Sequence, residues 1–311
     1  MNQRVLGALL VAVSAVSFGA MAIFARCAYA DGADVVAVLF LRFAIAAILM
    51  SIYMALARRH WPRGRSLAIL AAMGGVGYVG QSLAFFSALN HATAGLVALL
   101  LYLYPFLVTV LGAVFLREPL GVGRVLALLA ALVGTALTLG GGIAGEPVGV
   151  ALGVAAALIY SIYILVGSRV LARSDAMGAA TVVMISAAVV FGAITLATRP
   201  RFPVEPAGWA AVLAIAVVST VIAMGGFFAG IRLLGAADAA TLSTLEPAVT
   251  IALAAIFLDE PLNRLQLVGG AIILAAVVWL TRAGARNEDE KPDGCAAAAD
   301  TRAGGGAGSR A

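Results

Sequence analysis

Glu246 and Tyr104 stand 142 positions apart, and each directly precedes a proline, Pro247 and Pro105. A carboxylate or a phenol beside matched breaks in apolar runs can accept a proton, hold an ammonium group, or pair with a neighbouring hydroxyl or arginine. Glu246 lies about nine residues into its run, roughly 14 Å at 1.5 Å per residue, close to a bilayer midplane. Charging it there costs desolvation, so a role as proton acceptor or as partner of a cationic solute stands beside a structural one. Arg42, in VAVLFLRFAIAAILM, lies roughly 10 Å from the end of its run and needs an acceptor. Structural pairing, solute contact and a part in coupling or gating are its alternatives. Tyr78, Gln81 and Phe85 fall at i, i+3 and i+7, on one face of a helix. Tyr160 and Tyr163, with Phe227 and Phe228, add candidate aromatic walls. Each alone is compatible with core packing. Together they outline a mostly apolar cavity with few polar groups, suited to an amphipathic small molecule more than to a bare ion.

Such groups can only be positioned by membrane helices. Of 311 residues, 63% are hydrophobic and 11% charged, and the mean hydropathy is +1.07, whereas a soluble domain carries roughly a quarter charged residues. The composition implies an all-α integral membrane protein. Ten apolar runs approach or reach the length a helix needs to cross a bilayer. They cover approximately Val5 to Ala25, Val35 to Leu56, Ser66 to Ala88, Thr93 to Leu116, Val122 to Gly140, Val148 to Gly167, Gly178 to Ala197, Ala207 to Gly230, Ala237 to Leu258 and Leu265 to Thr281. Links between them are short and leave no room for a soluble domain. Pro105 and Pro247 fall inside the fourth and ninth runs, where each removes the hydrogen bond to the carbonyl of Leu101 or Ser243. Breaks at matching positions mark a transporter's central site, with inherited packing kinks as the alternative. The first run, with Ala28-Tyr29-Ala30 beyond it, resembles a secretory signal, but it is too long for one and reads as the first span. Residues 283–311 are Gly/Ala-rich and read as a disordered cytoplasmic tail. Cys27 and Cys295 support neither a disulfide nor a thiolate metal site, and no metal or cofactor is expected.

REPL at 117–120 returns as DEPL at 259–262, and the match extends well beyond these letters. At an offset of 142, Gly7 falls on Gly149, Phe85-Phe86 on Phe227-Phe228, Pro105 on Pro247 and Phe115-Leu116 on Phe257-Leu258, with no gap. The chain is an internal duplication, with halves at 1–142 and 143–282. Five spans per half is an odd number, so the second half enters the membrane from the opposite side and the repeats are inverted. Arginine placement, above all RRHWPRGR at 58–65, puts both termini on the cytoplasmic side. Glu118 and Glu260 read as helix-start residues, a carboxylate there facing the positive end of the dipole; a gating role is the alternative.

Rival classes carry weaker signals. Gly75, Gly77 and Gly80 match GxGxxG, but within a membrane span this spacing reads as close helix packing, as do Gly149 and Gly153, or Gly226 and Gly230. No HExxH or GxSxG is present, and His60 and His91 have no evident catalytic partner, so an intramembrane enzyme is disfavoured. A passive channel would more naturally show rings of charge than the unlike pair Tyr104 and Glu246.

LRFAIAA from Leu41, ALNHATAGLVALLLYLYPFLVTVLGAVFLREPL from Ala88 and LLGAADAATLSTLEPAVTIALAAIFLDEPL from Leu233 together resemble the EamA branch of the drug/metabolite transporter superfamily. The resemblance reaches to about Arg282, with Met184 standing where the second half would repeat Arg42. It implies a secondary permease, often an exporter of amino acids, related metabolites or drugs, with a cavity between the repeats lined from the third, fourth, eighth and ninth helices. A small-molecule solute and the lipid bilayer are then the expected partners and nucleic acid is not. Coupling to protons and homo-oligomerisation stay open.

Overall fold

A computed structural model of the chain describes residues 3–116, 122–140, 145–171, 175–234, 239, 242–261 and 263–289. The REPL turn with Glu118, and tail residues 290–311, lie outside the described residues. The described part is helical apart from turns and one isolated bridge between Ala92 and Gly145. The helices are α1 (Gln3–Ala30, with a single turn at Ala20), α2 (Val35–Leu56), α3 (Gly64–Ala88), α4 (Ala94–Leu101 and Tyr104–Leu116), α5 (Val122–Gly140), α6 (Pro147–Leu171), α7 (Ala176–Thr198), α8 (Pro206–Leu234), α9 (Leu245–Phe257) and α10 (Arg264–Asp289). Among the described residues, seven of these, α1 to α4 and α6 to α8, are long and apolar enough to cross a membrane. Three shorter apolar stretches lie in α5, α9 and α10: Val125–Gly134, Leu245–Phe257 and Arg264–Trp279. In α9 the shortening follows from the chain itself, because the turn at Thr244 separates Leu245–Phe257 from the residues before it. The last helix continues to Asp289, beyond the apolar run that ends near Thr281.

Packing follows the duplication. α1 lies on α8 as α6 lies on α3, and α9 lies on α1 as α4 lies on α6. α2 meets its own counterpart α7, and α5 meets α10. This is the exchange a two-fold axis produces. Its direction follows from the ends of α2 and α7. Asp34, before α2, pairs with Arg201, after α7, at 3.2 Å, while Arg59, after α2, pairs with Asp175, before α7, at 3.4 Å. α2 and α7 therefore run antiparallel.

Lipid offers helices no hydrophobic drive to associate, so close packing of small residues must supply it. A Cβ at Gly74 would lie 2.6 Å from the Val183 carbonyl oxygen, which places α3 directly against α7. The expected GxxxG contacts also form: a Cβ at Gly153 would come within 2.8 Å of Leu100 on α4, and one at Gly230 would overlap Val11 on α1. Phe43, Phe86 and Phe191 fill the largest core cluster, Phe43 stacking on Phe191 at 5.5 Å. Both α3 and α8 contain a π-helical turn, Met73–Tyr78 and Val217–Ile222, at overlapping positions of the two halves. The GxGxxG glycines thus begin in a wide helical turn rather than a phosphate-binding loop, and Gly77 faces Tyr163.

Candidate functional site

The prolines interrupt their helices as their missing amide hydrogens require. In α4 the break falls at Tyr102 and Leu103, with Pro105 in the first turn of Tyr104–Leu116. In α9 it falls at Thr244, with Pro247 in the first turn of Leu245–Phe257. The Ser243 carbonyl that Pro247 cannot satisfy accepts the Tyr102 hydroxyl at 2.6 Å. That hydroxyl also lies 3.0 Å from Glu246 Oε2, so one phenol serves both the broken backbone and the carboxylate. Equivalent groups brace the two breaks. A Cβ at Gly19 on α1 would lie 2.9 Å from the Glu246 carbonyl oxygen, while Ser161 on α6, at the equivalent position, approaches the Tyr104 carbonyl at 3.2 Å. Thr250 ties α9 to α1 by donating to the Gly19 carbonyl at 2.9 Å.

From Glu246 a lane of rings crosses the bundle. Tyr102 meets Tyr104 at 5.9 Å between centroids, Tyr104 meets Tyr160 at 4.9 Å, Tyr160 meets Tyr163 at 6.1 Å, and Tyr163 meets Tyr78 at 5.6 Å. Tyr78 then reaches Phe43 edge-on at 5.6 Å. Tyr78, Tyr104, Tyr160, Tyr163 and Glu246 are half-buried, so the lane keeps an accessible face. Faces of this kind bind aromatic or cationic groups, and the phenols give polar contacts without fixed charge.

Arg42 marks the far end. Its side chain is fully buried, and Nε donates to Thr220 Oγ1 on the π-helical turn of α8 at 3.0 Å. The guanidinium carbon lies 4.9 Å from the Phe43 centroid and 5.3 Å from that of Phe86. Thr220 is the equivalent, 142 positions on, of Tyr78, which packs edge-on against Phe43.

Not every sequence candidate joins the lane. Gln81 is buried and accepts from Ser82 Oγ at 3.3 Å. Phe85 is sealed in the core against Phe86 at 5.7 Å. Tyr78 closes the π-helical turn and faces the lane, while Gln81 and Phe85, on the α-helical segment that follows, are buried. Phe227 is half-buried and packs on Phe228 at 6.1 Å, outside the tyrosine lane. Tyr102 and Thr220 are absent from the sequence candidates. Tyr102, immediately before Leu103 and the Tyr104-Pro105 break, could have been flagged as a donor to the freed carbonyls; Thr220 carried no comparable signal.

Glu260 acts differently from a helix-start residue of α10. Asp259 adopts a left-handed conformation (φ 51), and the Glu260 N–H returns to the Ala254 carbonyl at 3.3 Å, ending α9 in a tight turn. The carboxylate consequently faces α4, accepting the amide hydrogens of Ala94 at 2.9 Å and Gly95 at 3.4 Å. It caps a helix of the other half.

The match to known proteins covers both halves. Residues 5–140 and 147–282 each match the model of the EamA-like transporter family. The chain is 28% identical over 283 residues to "Uncharacterized transporter YcbK" of Bacillus subtilis (strain 168), covering 86% of this chain and 90% of the relative. It is 26% identical over 266 residues to a "Probable terminal-alkyne amino-acid exporter" of Streptantibioticus cattleyicolor, covering 84% and 90%. One crystal structure shares the fold, with a TM-score of 0.64 at 23% identity over 91% of this chain and 98% of the other. A multi-pass helical membrane protein built as two such repeats, the chain belongs to the EamA-like transporter family.

Proposed function

We propose that the chain is a secondary carrier that moves a small organic solute by rocking its halves around the breaks in α4 and α9. In this reading ten spans form two inverted five-helix units, 1–142 and 143–282, in an inner membrane, with both termini and the 283–311 tail cytoplasmic. The observation that carries it is the pair of interrupted helices at equivalent positions, with Tyr104 on one break and Glu246 on the other. Helix ends at membrane depth provide polar groups where a solute can be held, and antiparallel equivalent helices let the same contacts form alternately toward either side. Glu246 holds the amine of the solute or a coupling proton, the tyrosines wall the cavity, and Pro105 and Pro247 keep the breaks open. The direction is export, in line with the amino-acid exporter named among its relatives. The substrates are amino acids, related metabolites or amphipathic drugs, and no step of chemistry is involved.

The test is binding followed by flux. Thermal stabilisation of the purified protein by a panel of amino acids, nucleosides and cationic drugs reports a native-state ligand by mass action. One chemical class should stabilise it, and Glu246→Gln should remove that shift. A folded Glu246→Gln protein with undiminished binding and flux would sink the assignment of Glu246, and flux showing no saturation would favour a channel.

A further inference from the structure

Arg42 presents an electrostatic question. A guanidinium within a membrane bundle is expensive unless a counter-charge compensates it. Its partners here are a hydroxyl and two rings: Thr220 Oγ1, Phe43 and Phe86. Glu246 is similarly held by a phenol, and the two charges are not paired with one another but joined by the tyrosine lane. Beside Thr220, the Ser219 hydroxyl is buried without a hydrogen-bond partner. Among the described residues, Arg42 and Glu246 are thus held by dipoles and rings alone, with an unpartnered hydroxyl next in sequence to the arginine's acceptor.

We propose that Arg42 is the anion subsite of the central cavity, taking the carboxylate of an amphoteric solute whose amine lies toward Glu246. The inference rests on the carrier reading above and narrows its substrate class. A carboxylate offers the planar fork that a guanidinium binds in two parallel hydrogen bonds, and it outcompetes a neutral hydroxyl for Nε. Displacing Thr220 from Arg42 loosens α2 from the π-helical turn of α8 as the solute binds. The second half carries Met184 in place of Arg42, so the cavity has a single anion pole and a solute is oriented within it.

The experiment uses matched probes on the purified full-length protein: phenylalanine and 6-aminohexanoate, each against its amide, which removes only the carboxylate charge. At least one acid should bind the wild type about tenfold or more tighter than its amide, the scale of a charge-assisted pair. Arg42→Gln should erase that difference and leave amide binding unchanged, with Arg42→Lys restoring part of it. Should Arg42→Gln fail to fold, Thr220→Val decides, since removing the competing hydroxyl should tighten the acid and spare the amide. Equal binding of acid and amide to wild type overturns the proposal, as does parallel weakening of both in either variant, the mark of a purely structural clasp. Saturable flux of the acid itself, sensitive to Glu246→Gln but blind to Arg42→Gln, would leave the carrier standing and remove the anion subsite. Absence of saturable flux with every solute would remove the carrier reading itself.

Discussion

Tyr102 and Glu246, one from each half of the chain, share a hydrogen bond of 3.0 Å, and the same hydroxyl reaches the Ser243 carbonyl at 2.6 Å. The contact joins the break in α4 to the break in α9. Removing it with Tyr102→Phe strands two acceptors at membrane depth. A loss of about 1–3 kcal/mol is expected, read as a lower melting temperature in detergent, with a larger fall in flux than in expression. An unchanged melting curve would show that the two breaks are not joined through this phenol.

The Glu260 cap predicts a second coupling between halves. Glu260→Ala should destabilise the protein by about 0.5–2 kcal/mol, and Glu260→Gln by less, because the amide oxygen can still accept from Ala94 and Gly95. Equal effects of the two substitutions would assign the cost to the Asp259 turn instead.

Asp34 supplies a pH dependence. The Arg201 backbone N–H, at 2.7 Å, and then its guanidinium hold the Asp34 carboxyl below the usual carboxylate range, against a smaller opposing effect of burial. A carboxyl with a depressed value in the folded state stabilises the protein above its unfolded value, near 4, and loses that contribution as pH falls through the folded value. Asp34→Asn should therefore lower the melting temperature slightly at neutral pH and flatten the acid limb below about pH 4, where the wild type loses the same contribution and the two converge. With the side chain 39% exposed, solvent screening keeps the effect small. An acid limb as steep as wild type would contradict it.

Glycine substitutions separate packing from permissiveness. Gly74→Ala drives a methyl against the Val183 backbone, 2.6 Å away, and should cost about 1–3 kcal/mol. Gly225→Ala meets nothing within 4 Å and should be neutral or slightly stabilising. Equal melting temperatures for the two variants would contradict the close contact of α3 with α7.

The breaks were legible because proline has only one way to act on a helix, and the 142-residue offset located both from sequence alone. Arg42's need for an acceptor was equally legible, but Thr220 was not. It lies 178 residues away on a π-helical turn, and no spacing rule reaches across helices or registers that extra residue. The i, i+3, i+7 spacing of Tyr78, Gln81 and Phe85 does not tell which neighbour covers each: Tyr78 joins the lane while Gln81 and Phe85 are buried. Glu260 carried the right chemistry for the wrong helix: a carboxylate at a helix N-terminus, but turned by Asp259 onto α4. The span count rested on composition, which does not reveal that α9 is continuous only from Leu245.

The most direct test of a carrier built around Glu246 is solute counterflow in proteoliposomes, using whichever panel member most stabilises the purified protein. Vesicles preloaded with unlabelled solute should accumulate labelled solute transiently above equilibrium, because a carrier exchanges one bound molecule for another. Glu246→Gln should abolish this overshoot while the protein remains folded in the vesicles. Uptake that only equilibrates, with no overshoot and no saturation in the wild type, would contradict alternating access and identify a pore.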